Sequence, residues 1–256
     1  MNKTKRLGQH ILKDVKIIKK IVAAAQISEN DIVFELGSGR GDLTEVLCKS
    51  SGKVISTEID YNLFLITKKR LAKYENLELI NCDALKTNYD FNIFVSNIPY
   101  SKSREFVEWL VKHNIERAVV TVQKEFAEKI IARPNAKNYR ALTVISQGFF
   151  FIERLFDINK TSFDPIPKVD STVLLFKRRE VNKINSQVVL SLKKLFSFRS
   201  RILLSAIKLL LRDDKDYQHF LKICNSNLFN RRIESLNIDE AFTVAEILAE
   251  IKNEYP

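Results

Sequence analysis

The chain has 256 residues, 45% hydrophobic and 29% charged, with a formal net charge of +11. That mix excludes a disordered chain, and no apolar run approaches the ~20 residues of a membrane span. Three scattered cysteines, Cys48, Cys82 and Cys224, give neither a disulfide framework nor zinc-ligand spacing, so no metal is expected and a reducing, cytoplasmic setting is.

Lys3, Lys5 and Arg6 precede no apolar block, so no secretory signal is expected. The charge is unevenly placed: +6 over 1–20, neutral over 21–176, +10 over 177–232 and −5 over 233–256. A neutral middle flanked by basic segments suits a catalytic or cofactor module with a polyanion-binding surface; solvated Lys/Arg faces are the alternative.

From residue 32 the chain alternates apolar β-type runs with helical stretches. Strands are expected over 32–36, 53–57, 77–81, 92–96 and 118–122, and helices over 43–50, 62–73, 104–113 and 124–131. This alternation predicts crossover connections and a parallel, doubly wound α/β sheet. Two further strands, 149–158 and 172–177, are expected to close the sheet with an antiparallel edge. Between them, Phe163-Asp164-Pro165-Ile166-Pro167 reads as a loop constrained by two prolines. Beyond 179, leucine-rich helices are expected over 188–196, 200–211, 217–224 and 239–251, the last entered through a cap at Asn237-Ile238-Asp239-Glu240. Two domains follow: a catalytic domain over 1–180 and a small all-α domain over 181–256.

Glu35-Leu36-Gly37-Ser38-Gly39-Arg40-Gly41-Asp42 joins the first strand to a helix. Gly37 and Gly39 permit a tight turn with a ligand against the backbone at the carboxyl edge of the sheet. Asp42 stands where a dinucleotide fingerprint has its third glycine, which counts against NAD or FAD. The next strand ends at Glu58, placed to accept from ribose hydroxyls. After the third strand, Cys82-Asp83-Ala84 offers Asp83 as an acceptor for an adenine amine. These three elements in order describe a pocket for S-adenosylmethionine.

Ser96-Asn97-Ile98-Pro99-Tyr100 follows the fourth strand. Adenine's exocyclic amine is a poor nucleophile because its lone pair is delocalised into the ring. The Asn97 side-chain oxygen and the Ile98 carbonyl can each accept one amine hydrogen and localise that pair. Pro99 stiffens the turn, and Tyr100 offers a face on which a flipped base can stack. Placement and electrostatics then suffice without a strong base. Lys102 and Arg104, beside this pocket, and Lys193, Lys194, Arg199 and Arg201, in the +10 segment, are candidate RNA-phosphate contacts. His113 and His219 fall in no motif and are expected to be packing or surface residues.

In these residues the chain resembles the ribosomal RNA adenine N6,N6-dimethyltransferases, KsgA-type small-subunit enzymes related to the macrolide-resistance methyltransferases. Leu7-Gly8-Gln9-His10-Ile11-Leu12, the glycine loop, Glu58, Asp83, Asn97 to Tyr100, Gln123-Lys124-Glu125-Phe126-Ala127 and the 163–171 signature match in order. Ile11 replaces the usual Phe, and Ser101-Lys102-Ser103-Arg104-Glu105 departs from the family's usual segment. The resemblance implies that Gln9, His10, Leu12, Gly37, Gly39, Glu58, Asp83, Ala84 and Asn97 bind the cofactor, and that Tyr100 and Phe163 sandwich the adenine. It also implies N6-dimethylation of two adjacent adenines in a hairpin loop near the 3′ end of small-subunit rRNA, by a monomer acting on immature subunits. Large-subunit methylation with macrolide resistance, and a non-catalytic RNA-binding assembly or transcription factor, are the alternatives.

Overall fold

A computed structural model describes residues 10–180 and 185–254. In chain order its first elements are β1 (Ile11–Leu12), α1 (Val15–Ala24), β2 (Ile32–Leu36), α2 (Asp42–Cys48), β3 (Lys53–Thr57), α3 (Tyr61–Arg70) and β4 (Leu77–Ile80). There follow β5 (Ile93–Asn97), α4 (Ser103–Leu110), β6 (Arg117–Gln123), α5 (Lys124–Ile130), α6 (Ala141–Phe149), β7 (Phe150–Ile158), β8 (Phe163–Asp164) and β9 (Ser171–Arg178). The chain then runs through α7 (Ser186–Ser197), α8 (Leu203–Leu210), α9 (Asp214–Ile223) and α10 (Ile238–Glu254). No helix among the described residues is long and apolar enough to cross a membrane.

Seven strands form one sheet in the order β4-β3-β2-β5-β6-β9-β7. The pairs from β4 to β6 are parallel, and β9 pairs antiparallel with β6. The chain order reverses between β2 and β5, which places a crevice at the carboxyl ends of these two strands. Their near-continuous apolar runs are buried on both faces, as a doubly covered parallel sheet requires. A second, two-stranded ribbon pairs β1 antiparallel with β8, setting Leu12 opposite Phe163.

The chain divides into two compact units: residues 1–127 with 152–178, and residues 128–151 with 179–256. The second unit therefore takes in 128–151, which the sequence boundary at 180/181 assigns to the first. The reason is packing that follows α6 rather than chain order. The Tyr139 hydroxyl donates to the Leu236 carbonyl at 2.8 Å, and its ring meets Phe196 edge-on. Phe149 likewise meets Phe242 edge-on.

The entry to α10 is a reciprocal capping box. Glu240 N donates to Asn237 Oδ1 at 2.9 Å, and Asn237 N donates to Glu240 Oε2 at 2.8 Å. Gly148 lets α6 and α10 approach, because a Cβ there would overlap the Phe242 ring. Gly148→Ala is accordingly expected to destabilise the protein by ~1–3 kcal/mol, a melting-point loss of several degrees by calorimetry. An unchanged Tm would contradict this packing.

Candidate active site

The parallel register of β2 and β3 pairs Leu36 with Thr57, so the glycine loop leaves the sheet beside Glu58. Gly37 N and Ser38 N both donate to the Thr57 carbonyl at 2.9 Å. Gly37 has φ +82°, in the left-handed region, and a Cβ there would meet nothing within 4 Å. The space over the loop is thus open, and the backbone is what faces it. Gly41, φ +86°, caps α2 where a Cβ would press on Leu71 and Thr67 at 3.0 Å.

Glu58 is 1% exposed. Its Oε2 accepts from Gly39 N and its Oε1 from Asp60 N, each at 2.9 Å. The carboxylate thereby fixes the loop and places an acceptor at the end of β3, where a ribose hydroxyl is expected. Asp83 Oδ1 accepts from Leu85 N at 3.2 Å, and Lys86 Nζ lies 3.9 Å from Oδ2.

Ser96 Oγ donates to the Leu36 carbonyl at 2.6 Å and ties the end of β5 to that of β2. Ile98 N donates to the Thr121 carbonyl at 3.0 Å, and the Ile98 side chain is buried. Asn97 Nδ2 donates to the His10 carbonyl at 2.7 Å, which leaves Oδ1 as the acceptor of this amide. His10 Nδ1 lies 2.7 Å from the Pro165 carbonyl, and its ring lies 5.1 Å from that of Tyr100.

Two adjoining clefts result. The first is lined by His10, Ile11, Leu12, Gly37, Gly39 and Glu58 on one side of the motif and by Asn97, Ile98, Pro99 and Tyr100 on the other. The second is lined by Asp83, Ala84, Cys82, Ile59 and Lys102, and the two share Gly37, Glu58 and Pro99. Ser38 Oγ, buried and without a hydrogen-bond partner, lines the first cleft. An orphan hydroxyl beside an open glycine cradle fits a polar ligand lying against the loop, as S-adenosylmethionine would.

Glu35 also lines the first cleft, and neither it nor Ser38 stood out in the sequence as a site residue. Its Oε2 accepts from Thr44 Oγ1 and Ser56 Oγ, both at 2.6 Å. Burial pushes its carboxyl up to about 7; the two hydroxyls oppose the rise, and the charges of Glu58 and Asp42 add to it. Its ordinary value of 4.5 holds in the unfolded chain, so between about 4.5 and 7 the folded state keeps a proton that the unfolded state releases. Stability from this group is full below the unfolded value and is lost as pH rises through the folded one, ~3 kcal/mol in all. Glu35→Gln keeps the oxygen that receives both hydroxyls. It is expected to melt several degrees above wild type at pH 8 and level with it at pH 5; a gap that does not widen with pH would contradict the assignment.

Among the expected site residues, Phe163 and the basic residues have surroundings that the sequence does not show. Gln9 lies outside the described residues. Phe163 is fully buried in the core with Leu12, Ile158 and Val173, and lines neither cleft. Pairing of β1 with β8 lays Leu12 opposite Phe163, and both pack in the core. Tyr100 is left as the tyrosine or phenylalanine ring at the cleft wall among the described residues.

The basic residues differ too. Lys102 pairs with Glu105 at 2.7 Å and Arg104 with Glu108 at 3.3 Å. Both are exposed pairs worth ~0.2–1 kcal/mol, weak enough to yield to a phosphate. In the helical unit Arg199 is a part-buried structural ion pair, 2.6 Å from Glu234. It anchors the turn after α7 rather than offering a free cation. Lys194 and Arg201 are exposed and Lys193 half-buried. His113 packs against Trp109 with centroids 3.9 Å apart, and His219 is exposed.

A family model for ribosomal RNA adenine dimethylase matches residues 1–250. Ribosomal RNA small subunit methyltransferase A of Thermotoga maritima is 38% identical over 244 residues, covering 94% of this chain and 84% of the relative. Among solved structures, a dimethyladenosine transferase from Plasmodium falciparum aligns with a TM-score of 0.83 at 28% identity, over 95% of this chain and 98% of its own. The 23S rRNA methyltransferase ErmE aligns with a TM-score of 0.69 at 24% identity, over 93% and 99%. At that identity the second likeness concerns the fold.

Proposed function

The chain belongs to the ribosomal RNA adenine dimethylase family, and from that premise we propose that it N6-dimethylates two adjacent adenines in a hairpin loop near the 3′ end of small-subunit rRNA. It is an S-adenosylmethionine-dependent rRNA methyltransferase of the class I fold. Of the proposed site, the observation that carries most is the Asn97 amide, whose nitrogen is committed to the His10 carbonyl beside an open glycine loop.

Gly37, Gly39, Glu58, Asp83 and Ala84, with His10 and Leu12, would hold the cofactor. When bound, S-adenosylmethionine would supply an electrophilic methyl on a sulfonium whose sulfur departs as the neutral thioether of S-adenosylhomocysteine, the amine proton passing to solvent. Asn97 Oδ1 and the Ile98 carbonyl each accept one hydrogen of the adenine amine, drawing its lone pair out of conjugation. Tyr100 stacks on the flipped base, and Pro99 holds the carbonyl before it in place. A loop adenine suits this site because unstacking it costs less than opening a duplex. Lys193, Lys194 and Arg201 of the helical unit grip rRNA phosphates, so binding weakens steeply with salt. We take it to act as a monomer on immature small subunits in the cytoplasm.

The test is methylation in vitro of immature small subunits, naked small-subunit rRNA and large-subunit rRNA, with modified positions mapped by mass spectrometry. Two adjacent dimethyladenosines in the small-subunit loop are expected. Modification of large-subunit rRNA alone would favour the resistance-type activity, and none at all a binding role.

A further inference from the structure

The 163–171 signature ends at Ser171, a residue with no part in cofactor or amine recognition above. It opens β9 opposite Gln123 of β6 and is fully buried. Its Oγ lies 2.7 Å from the Tyr100 hydroxyl. Tyr100 itself follows Pro99 in the turn after β5, and its ring tilts at 35° to that of His10.

A tyrosine at a cleft wall has two side-chain torsions to settle before its face is a defined platform. Pro99 limits the backbone, His10 neighbours the ring, and a hydrogen bond at the far end fixes the ring's direction. We infer that Ser171 is a positioning residue for methyl transfer: its buried hydroxyl holds the Tyr100 ring as a preset stacking platform for the acceptor adenine. This rests on the proposed function and adds to it a reason for the serine that closes the signature.

The Tyr100 hydroxyl is thereby an anchor and takes no proton from the amine. It is already engaged by Ser171. Burial raises its pKa above the ordinary value; the Ser171 hydrogen bond opposes the rise, and the Asp170 charge adds to it. A phenol held in that form supplies no base near neutral pH.

The experiment compares wild type, Ser171→Ala, Ser171→Thr, Tyr100→Phe and the Tyr100→Phe/Ser171→Ala double variant. The substrate is immature small subunits lacking the modification, with cofactor affinity measured by calorimetry. Ser171→Ala is expected to lower kcat roughly five- to tenfold, the worth of one hydrogen bond, with the KM for subunits and the cofactor Kd within about twofold. Ser171→Thr restores the rate. Tyr100→Phe matches Ser171→Ala, and the double variant is no slower than either, because the two remove the same bond.

Additive losses, a Tyr100→Phe loss far exceeding that of Ser171→Ala, or a wild-type kcat in Ser171→Ala would each overturn the inference. So would a Ser171→Ala loss that appears equally in cofactor affinity, since that marks a general structural role. Inactive wild-type protein would instead refute the functional proposal, so the two failures are distinguishable.

Discussion

Replacing Asn97 with Ala is expected to slow methyl transfer by two to three orders of magnitude, while cofactor affinity changes no more than a few-fold. The scale is that of removing one preorganised hydrogen-bonding group from a site where charge develops. The adenine amine becomes nucleophilic only as its hydrogens are drawn out of the ring plane. One of the two acceptors is the Asn97 oxygen, and its direction is fixed because Nδ2 donates to the His10 carbonyl at 2.7 Å. The same bond predicts the outcome for Asn97→Asp. A carboxylate keeps an acceptor for the amine but sets an oxygen against the His10 carbonyl, so this variant should recover little. Single-turnover rates with saturating cofactor measure both variants; a near-wild-type rate in either contradicts the role assigned to the amide.

Glu58→Ala should act at the other step, raising the cofactor Kd on the order of a hundredfold as read by calorimetry. Two backbone N–H groups, of Gly39 and Asp60, lose their acceptor, and the cofactor ribose loses its carboxylate partner. The glycine loop then loses one tie to the end of β3 and keeps the Gly37 and Ser38 bonds to the Thr57 carbonyl. An unchanged Kd would show that the cofactor does not use this edge of the sheet.

Much of this site is readable from residues alone. The runs at 32–36 and 53–57 are short, apolar and rich in β-branched side chains, so their ends, and with them Gly37 and Glu58, can be placed at one edge of a parallel sheet. The same holds for β5 and the Asn97–Tyr100 turn. The capping box at Asn237 and Glu240 is likewise local and forms as its spacing predicts.

Other features depend on partners far along the chain. The burial of Phe163 follows from its pairing with Leu12, two-residue strands that carry no periodicity. Two prolines nearby mark a loop, yet they say nothing of which side chain turns inward. Ser171 is a signature residue without a visible task until Tyr100, 71 positions away, is found beside it. The helix Val15–Ala24 is masked by its charge: Lys16, Lys19 and Lys20 read as a basic segment, although Ile18, Ile21 and Val22 form its buried face. Charge alone also cannot tell a free cation from a paired one. Arg199 and Lys194 look equivalent in sequence, and Glu234 separates them.

The most direct test is the methylation state of small-subunit rRNA from a strain lacking this gene, complemented with wild type or with Asn97→Ala, read by mass spectrometry near the 3′ end. Two adjacent N6,N6-dimethyladenosines are expected to vanish on deletion, return with wild type and stay absent with Asn97→Ala. Undiminished dimethyladenosine in the deletion strain, or its full return with Asn97→Ala, would contradict the assignment of this activity to the cleft between the glycine loop and Tyr100.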